Sequence, residues 1–358
     1  HAPRGAGRRM TVPGSRCSAR VMRDIMRSVA DRTLRFDMSE WFWGDAIAID
    51  GLLDAADLLS EARFADRCHA WTARWADRVL ERGPTFTDHL VPGRALVRLA
   101  QSRASSKLLD AARLLAIYLH EQVPRAYPSG APLYRPDDPA YRHTVWVDTL
   151  YHEPPFFAAL WKATGEAKYA DMAVQVVQDH KKVLYDEKVK LLPQAVDVAV
   201  GTVRGLGWGR GHGWALLGLA DAVTELPPGA REEVLPWTKE LAERIQELQD
   251  NTGFWHTLLQ DRESYLETST ATFMAAAYLL LERQGLQGFA GAGERALHAA
   301  LSRIDQDGTV WGVSAVTWAA TAPGADAHRY KIVPTEPNLW GQGSGLRMLA
   351  EVIRRSAR

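Results

Sequence analysis

Asp148, in the stretch TVWVDTLYHEPPF, and Asp88, in TFTDHLVPG, are two carboxyls on successive connecting segments of the chain. Val145, Trp146 and Val147 crowd the approach to Asp148. Apolar surroundings raise a carboxyl's pKa and let it donate a proton near neutral pH. Two carboxyls from neighbouring loops that face one sugar are the minimum apparatus for acid/base chemistry at a glycosidic bond. A lone aspartate ahead of a helix would otherwise serve as an N-terminal cap or a solvated charge.

The stretch WGRGHGW, residues 208–214, places Arg210 between Gly209 and Gly211, with Trp208 and Trp214 at the ends. The planar guanidinium fork matches a carboxylate, and the glycines allow close backbone approach. The alternative is a structural arginine that ties loops together. His143, His152, His212 and His256 fall in the same class of segments. No HExxH or comparable ligand spacing occurs, so the expectation is hydrogen bonding or proton transfer and no metal.

These groups need a scaffold. Apolar residues at helical spacing predict twelve helices, near 17–34, 44–60, 64–81, 93–102, 106–123, 154–164, 167–184, 212–224, 229–249, 269–284, 289–305 and 342–356. No stretch alternates convincingly enough for a long strand. Short turn-like connections alternate with long ones at 35–43, 85–93, 126–155, 186–211, 253–269 and 306–343. Strict alternation gathers all the long loops at one end. Six helical hairpins then close as inner and outer rings, giving an all-α fold, an (α/α)6 barrel. An open helical solenoid is the alternative. Helices that open with small residues, as in GRALVRL, GWALLGLA and TATFMAAAYL, are expected on the inner ring.

Of 13 tryptophans, Trp41, Trp43, Trp146, Trp208, Trp255, Trp311, Trp318 and Trp340 fall in the long loops, with Trp214 at a loop edge. Core filling explains Trp71, Trp75, Trp161 and Trp237 within helices but explains the loop set poorly. Indoles that border a polar pocket suit stacking on sugar rings. With Arg210 among them, the natural ligand is an acidic sugar.

Composition narrows the class further. The 358 residues carry a formal net charge of zero, which leaves no footprint for nucleic acid or a membrane surface. No apolar run reaches the roughly 20 residues that span a bilayer. Cys17 and Cys68 are too few for a disulfide scaffold or a multi-cysteine zinc site and read as separate thiols. Residues 1–16 read as a disordered basic leader without the apolar core of a signal peptide, ahead of a single catalytic domain over 17–358. A cytoplasmic location follows from that reading.

Taken in order, WVDTLY, AVQVVQDH, WGRGHGW, QDNTGFWH, YLETS and a late GQG resemble the unsaturated glucuronyl and rhamnogalacturonyl hydrolases, glycoside hydrolase families 88 and 105. The similarity runs from about Trp43 to Glu351. It implies an (α/α)6 barrel and removal of a 4,5-unsaturated uronic acid from the non-reducing end of lyase-generated oligosaccharides. In that chemistry an aspartate protonates the vinyl ether at C4, and water adds at C5. The hemiketal so formed opens and releases the sugar.

Asp148 matches the proton donor and Asp88 the second carboxyl, while Arg210 and Trp214 match substrate contacts. Trp43, His143, Trp146, His152, Gln194, Trp208, His212 and Trp340 complete the expected binding set, and no cofactor is implied. Three positions depart from the pattern. Gln194 stands where the family usually has a histidine, His152 where methionine is common, and His212 where asparagine is usual. Gln194 cannot relay a proton as imidazole does, so the exchange implies a shifted substrate preference. The competing readings are another (α/α)6 glycosidase or lyase, and a non-catalytic carbohydrate-binding protein.

Overall fold

The computed structural model describes residues 19–38, 43–85, 93–319 and 326–356. Thirteen α-helices occur among them: α1 (Ala19–Thr33), α2 (Trp43–Leu59), α3 (Ala62–Arg82), α4 (Gly93–Ser102), α5 (Ser106–Ile117), α6 (Thr149–Thr164), α7 (Ala167–Leu184), α8 (Gly209–Glu225), α9 (Pro228–Glu247), α10 (Thr268–Arg283), α11 (Ala290–Leu301), α12 (Asp326–Ile332) and α13 (Leu339–Ser356). Successive packing of α2, α4, α6, α8, α10 and α13 returns to α2, so six helices form a closed inner ring. The outer helices α3, α5, α7, α9 and α11 each lie on the inner helix that precedes them, and α1 lies on α13 and α2. This is the (α/α)6 barrel, and closure rules out the open solenoid.

Burial explains the two rings. The α10 helix is buried continuously from Thr268 through Leu281. The α3 helix is buried only at Phe64, Cys68, Thr72, Trp75, Ala76 and Val79. A helix buried all round must lie inside, whereas a single apolar stripe suits an outer layer. Cys68 is a free, buried thiol within that stripe; Cys17 and residues 1–16, where a leader is expected, lie outside the described residues.

Several helix bounds differ from expectation. The α6 helix starts five residues ahead of the predicted 154, because Pro154 and Pro155 read as a helix opening yet stand inside it. Proline brings no N–H, so the Leu150 carbonyl loses its helical partner. Gly218 of α8 lies so close to that carbonyl that any Cβ would collide with it. The helix predicted over 106–123 passes at Tyr118 into a π-helical turn, Tyr118–Gln122. The α12 helix and five short strands were not anticipated. Strands β1 (Thr144–Trp146), β2 (Ala195–Asp197) and β3 (Thr202–Arg204) form an antiparallel sheet in that order, and β4 (Trp255–His256) pairs with β5 (Leu266–Glu267). At two or three residues each, they are too short to show alternation.

Contacts among Trp43, Arg210, Trp340 and the segment after α11 bring the N-terminal ends of α2, α8 and α13 together. Further down the ring the inner faces carry charge. Arg347 grips Asp221 through both terminal nitrogens, at 3.0 and 2.7 Å, and its Nε lies 3.0 Å from Asp54. Arg98 reaches Asp54 at 2.8 Å and Asp50 at 3.1 Å, and Arg94 reaches Glu225 at 2.9 Å. The Tyr151 hydroxyl of α6 donates to Asp50 at 3.1 Å. Burial alone would raise the Asp54 pKa, but Arg354, Arg98 and Arg347 hold it far below the usual carboxylate range.

Candidate active site

A cleft of about 370 Å³ opens at the N-terminal end of the inner ring. Of the residues expected at the site, Trp43, Trp146, Asp148, Gln194, Trp208 and Arg210 line it. Tyr134, Arg135 and the stretch Val316–Trp318 complete the walls. Asp88 and Trp41 lie outside the described residues.

Asp148 sits at the N-cap position of α6, but its side chain makes no capping bond. The carboxyl is 5% exposed, and Oδ2 has no hydrogen-bond partner. Val145 and Val147 are buried beside it, and Trp146 stacks on Tyr134 at 4.9 Å between ring centres. Burial is the main cause that lifts the Asp148 pKa, to about 7, against the opposing pull of Arg210 and a backbone hydrogen bond. An acid so placed still holds its proton near neutral pH and has an oxygen free to present it.

Arg210 does not hold its fork open for a ligand. Nη1 donates to the Ser314 carbonyl at 2.7 Å and to the Ser314 hydroxyl. Nη2 donates to the Ala315 carbonyl and to Thr317 Oγ1, both at 3.0 Å. The guanidinium lies over Trp208 at 5.0 Å and over Trp340 at 5.4 Å. Both terminal nitrogens thus tie a loop, the structural alternative that the sequence left open, while Nε has no partner and the residue lines the cleft. Ser314 also donates through its N–H to Glu267, at 2.8 Å. Glu267 caps α10 through the Thr270 N–H at 2.6 Å and accepts from the Ser269 and Thr270 hydroxyls. The WGRGHGW and YLETS motifs thus meet at Ser314. Gly211 serves packing too, since a Cβ there would fall 2.6 Å from Trp208 and 2.9 Å from Val147.

His212 and Trp214 are corrected as substrate contacts. Nε2 of His212 accepts from the Leu192 N–H at 2.9 Å, which leaves Nδ1 to donate to the Trp208 carbonyl at 2.8 Å. Burial lowers its pKa to about 4, so it is a neutral strut between α8 and the strand segment. Trp214 is wholly buried between Tyr151 and Phe273, at 4.9 and 4.3 Å between ring centres.

Trp340 supports the cleft from behind. Its Nε1 donates to the Ser314 carbonyl at 3.0 Å, and its ring packs on Trp43 at 4.6 Å. His152 is buried beside Trp214, at 6.2 Å between ring centres. His143 is exposed and does not line the cleft. Trp255 fills the core, with Nε1 donating to the Ile245 carbonyl at 2.8 Å. The described residues hold no cluster of three His, Cys, Asp or Glu side chains suited to a metal. No described helix is long and apolar enough to cross a membrane.

Sequence reasoning missed Arg135. It lines the cleft with its guanidinium 4.8 Å from the centre of the Trp318 ring, and its ion-pair contact with Asp138 is long, at 4.0 Å. Its setting, LYRPDDP, gives no periodic or motif signal. The helix N-termini gathered behind the cleft add partial positive charge. A mouth of indoles and Tyr134, a carboxyl whose pKa burial lifts to about 7, a lightly engaged arginine and a positive floor together suit an anionic sugar.

The family model of Glycosyl Hydrolase Family 88 matches residues 17–356. The unsaturated rhamnogalacturonyl hydrolase YesR of Bacillus subtilis (strain 168) is 27% identical over 342 residues, 93% of this chain and 95% of that protein. A structure from Klebsiella pneumoniae subsp. pneumoniae MGH 78578, described as a possible member of the GH105 family, superposes with a TM-score of 0.83 at 21% identity and covers 96% of each chain. The unsaturated glucuronyl hydrolase of Bacillus sp. GL1 superposes with a TM-score of 0.70 at 15% identity, over 92% of this chain and 95% of that one.

Proposed function

This chain belongs to glycosyl hydrolase family 88, and on that premise we propose that Asp148 is the acid that starts hydration of an unsaturated uronic acid. The enzyme is an unsaturated uronyl hydrolase that acts on lyase-generated oligosaccharides. The observation that carries the assignment of Asp148 is a cleft carboxyl whose pKa burial lifts to about 7.

The steps balance without an outside reagent. Protonated Asp148 gives its proton to C4 of the C4=C5 vinyl ether. The cation left at C5 is shared with the ring oxygen and stabilised by the ionised carboxylate close by. Water attacks C5 and returns a proton to the carboxylate, which restores the acid. The hemiketal then opens and releases the sugar. Hydration of a vinyl ether needs no metal or organic cofactor.

Arg135 is the residue that grips the uronic carboxylate, because the other cleft arginine, Arg210, is tied to Ser314, Ala315 and Thr317. Trp146 and Trp318 supply apolar walls for the ring faces. Asp88 is kept as the second carboxyl on the strength of the family resemblance.

The test is loss of ultraviolet absorbance of the conjugated uronate on lyase-digested pectin, ulvan and glycosaminoglycan. Wild type should bleach at least one digest, and Asp148→Asn should lower kcat by roughly 10²–10⁴-fold with KM little changed. Near-normal turnover by that variant would refute the assignment.

A further inference from the structure

Gln194 stands one residue ahead of β2, and its backbone is pinned on two sides. Its N–H donates to the Gly205 carbonyl at 3.1 Å, and its carbonyl accepts from the Val147 N–H at 3.0 Å. The side chain is held just as firmly, in a residue only 1% exposed. Nε2 donates to the Thr317 carbonyl at 2.6 Å, and Oε1 accepts from the Tyr330 hydroxyl. Joining a hydroxyl to a backbone carbonyl calls for an acceptor and a donor on one rigid plane, which a carboxamide provides. Tyr330 is wholly buried on α12. Its hydroxyl has room because residue 205 is a glycine with φ +65°; a Cβ there would overlap it.

What Gln194 holds leads to one wall of the cleft. Thr317 precedes Trp318, the indole that carries Arg135. Trp318 stacks on Tyr141 at 5.8 Å between ring centres, and the Tyr141 hydroxyl donates to the Ala319 carbonyl at 3.0 Å. Arg210 holds the Thr317 hydroxyl from the helical floor, while Gln194 holds the Thr317 carbonyl from the sheet. Each end of the amide is thus engaged by a protein group, and these two bonds fix its plane at the edge of the cleft.

We propose that Gln194 is a positioning residue: through the Tyr330–Gln194–Thr317 chain it fixes the Trp318 indole and so aims Arg135 at the substrate's carboxylate. This rests on the assignment of Arg135 made above. It replaces the expectation that Gln194 tunes preference by touching the sugar.

The test is calorimetric binding of the unsaturated disaccharides from the pectin, ulvan and glycosaminoglycan digests. It is done in the Asp148→Asn background, where turnover does not interfere. Tyr330→Phe removes only the hydroxyl, and Gln194→Met removes both amide hydrogen bonds without adding a charge to the cleft; thermal melts check that both fold. Each should weaken binding roughly tenfold, and neither should weaken it further once Arg135→Ala is present, because a positioning residue acts through the group it positions. With Asp148 restored, Tyr330→Phe should raise KM and leave kcat within about twofold.

Equal losses with and without Arg135 would overturn the proposal, as would a fall in kcat at constant KM. Binding that is coupled in this way, with no turnover of any digest by wild type, would overturn the proposed reaction and leave the clamp standing. No binding of any unsaturated disaccharide would overturn both.

Discussion

A carboxyl with one unpartnered oxygen, enclosed by Trp146, Val147 and Tyr134, keeps its proton to about pH 7. If that proton starts the reaction, kcat/KM should fall as pH rises through about 7. The same shift sets a sign for stability. An unfolded aspartate ionises near pH 3.8, while folded Asp148 ionises near 7. Between those values the folded state binds a proton that the unfolded state has lost, so stability declines with rising pH until about 7. Asp148→Asn has no proton to lose. It should melt higher than wild type at pH 8 and show no such gain at pH 3; an equal difference at both would contradict the shift. Glu153, buried and lifted to about 8 by burial, would keep its own slope in that variant. Asp148 was legible in sequence because its apolar neighbours adjoin it. The ties of Arg210 and His212 were not legible because their partners, Ser314 to Thr317 and Leu192, lie in segments without any pattern. An arginine between glycines looks the same whether it waits for a ligand or ties a loop.

At the scale of elements, two distant motifs act as one joint. Glu267 caps α10 and accepts from the Ser314 N–H, while Arg210 at the start of α8 donates to the Ser314 carbonyl. The joint fixes the stretch that runs on to Trp318. Glu267→Gln exchanges one acceptor oxygen for an amide that faces donors, so it should lower stability by about 1–3 kcal/mol and raise KM. Denaturant unfolding measures the first and steady-state kinetics the second. An unshifted midpoint with unchanged KM would show that the joint does not hold the wall. Helix positions were largely readable from apolar spacing; α4 and α7 fall on their expected residues. The π-helical turn, α12 and the strands were not. The strands are too short for periodicity to show, Arg125 holds the π-helical turn by donating to the Leu119 and His120 carbonyls, and α12 is anchored by Tyr330 on the distant Gln194.

At the scale of the whole molecule, the ring was readable from the alternation of short and long connections. The charges inside it were not, because Asp54, Asp221 and Arg347 face one another only once α2, α8 and α13 are in place. Arg347→Met should destabilise by about 3–5 kcal/mol, since it leaves two buried carboxylates short of a partner. Adding Asp221→Asn should recover part of that loss; a double variant as unstable as the sum of the two single changes would argue against the pairing. Closure of α13 onto α1 and α2 also sets a timetable. On a ribosome α1 and α2 emerge early, while the helix they must lie against is made after every other inner helix. At roughly 5–20 residues per second, the first helices wait on the order of tens of seconds with that flank bare. The catalytic end, which borrows Trp340 as a prop, assembles only after synthesis has passed it.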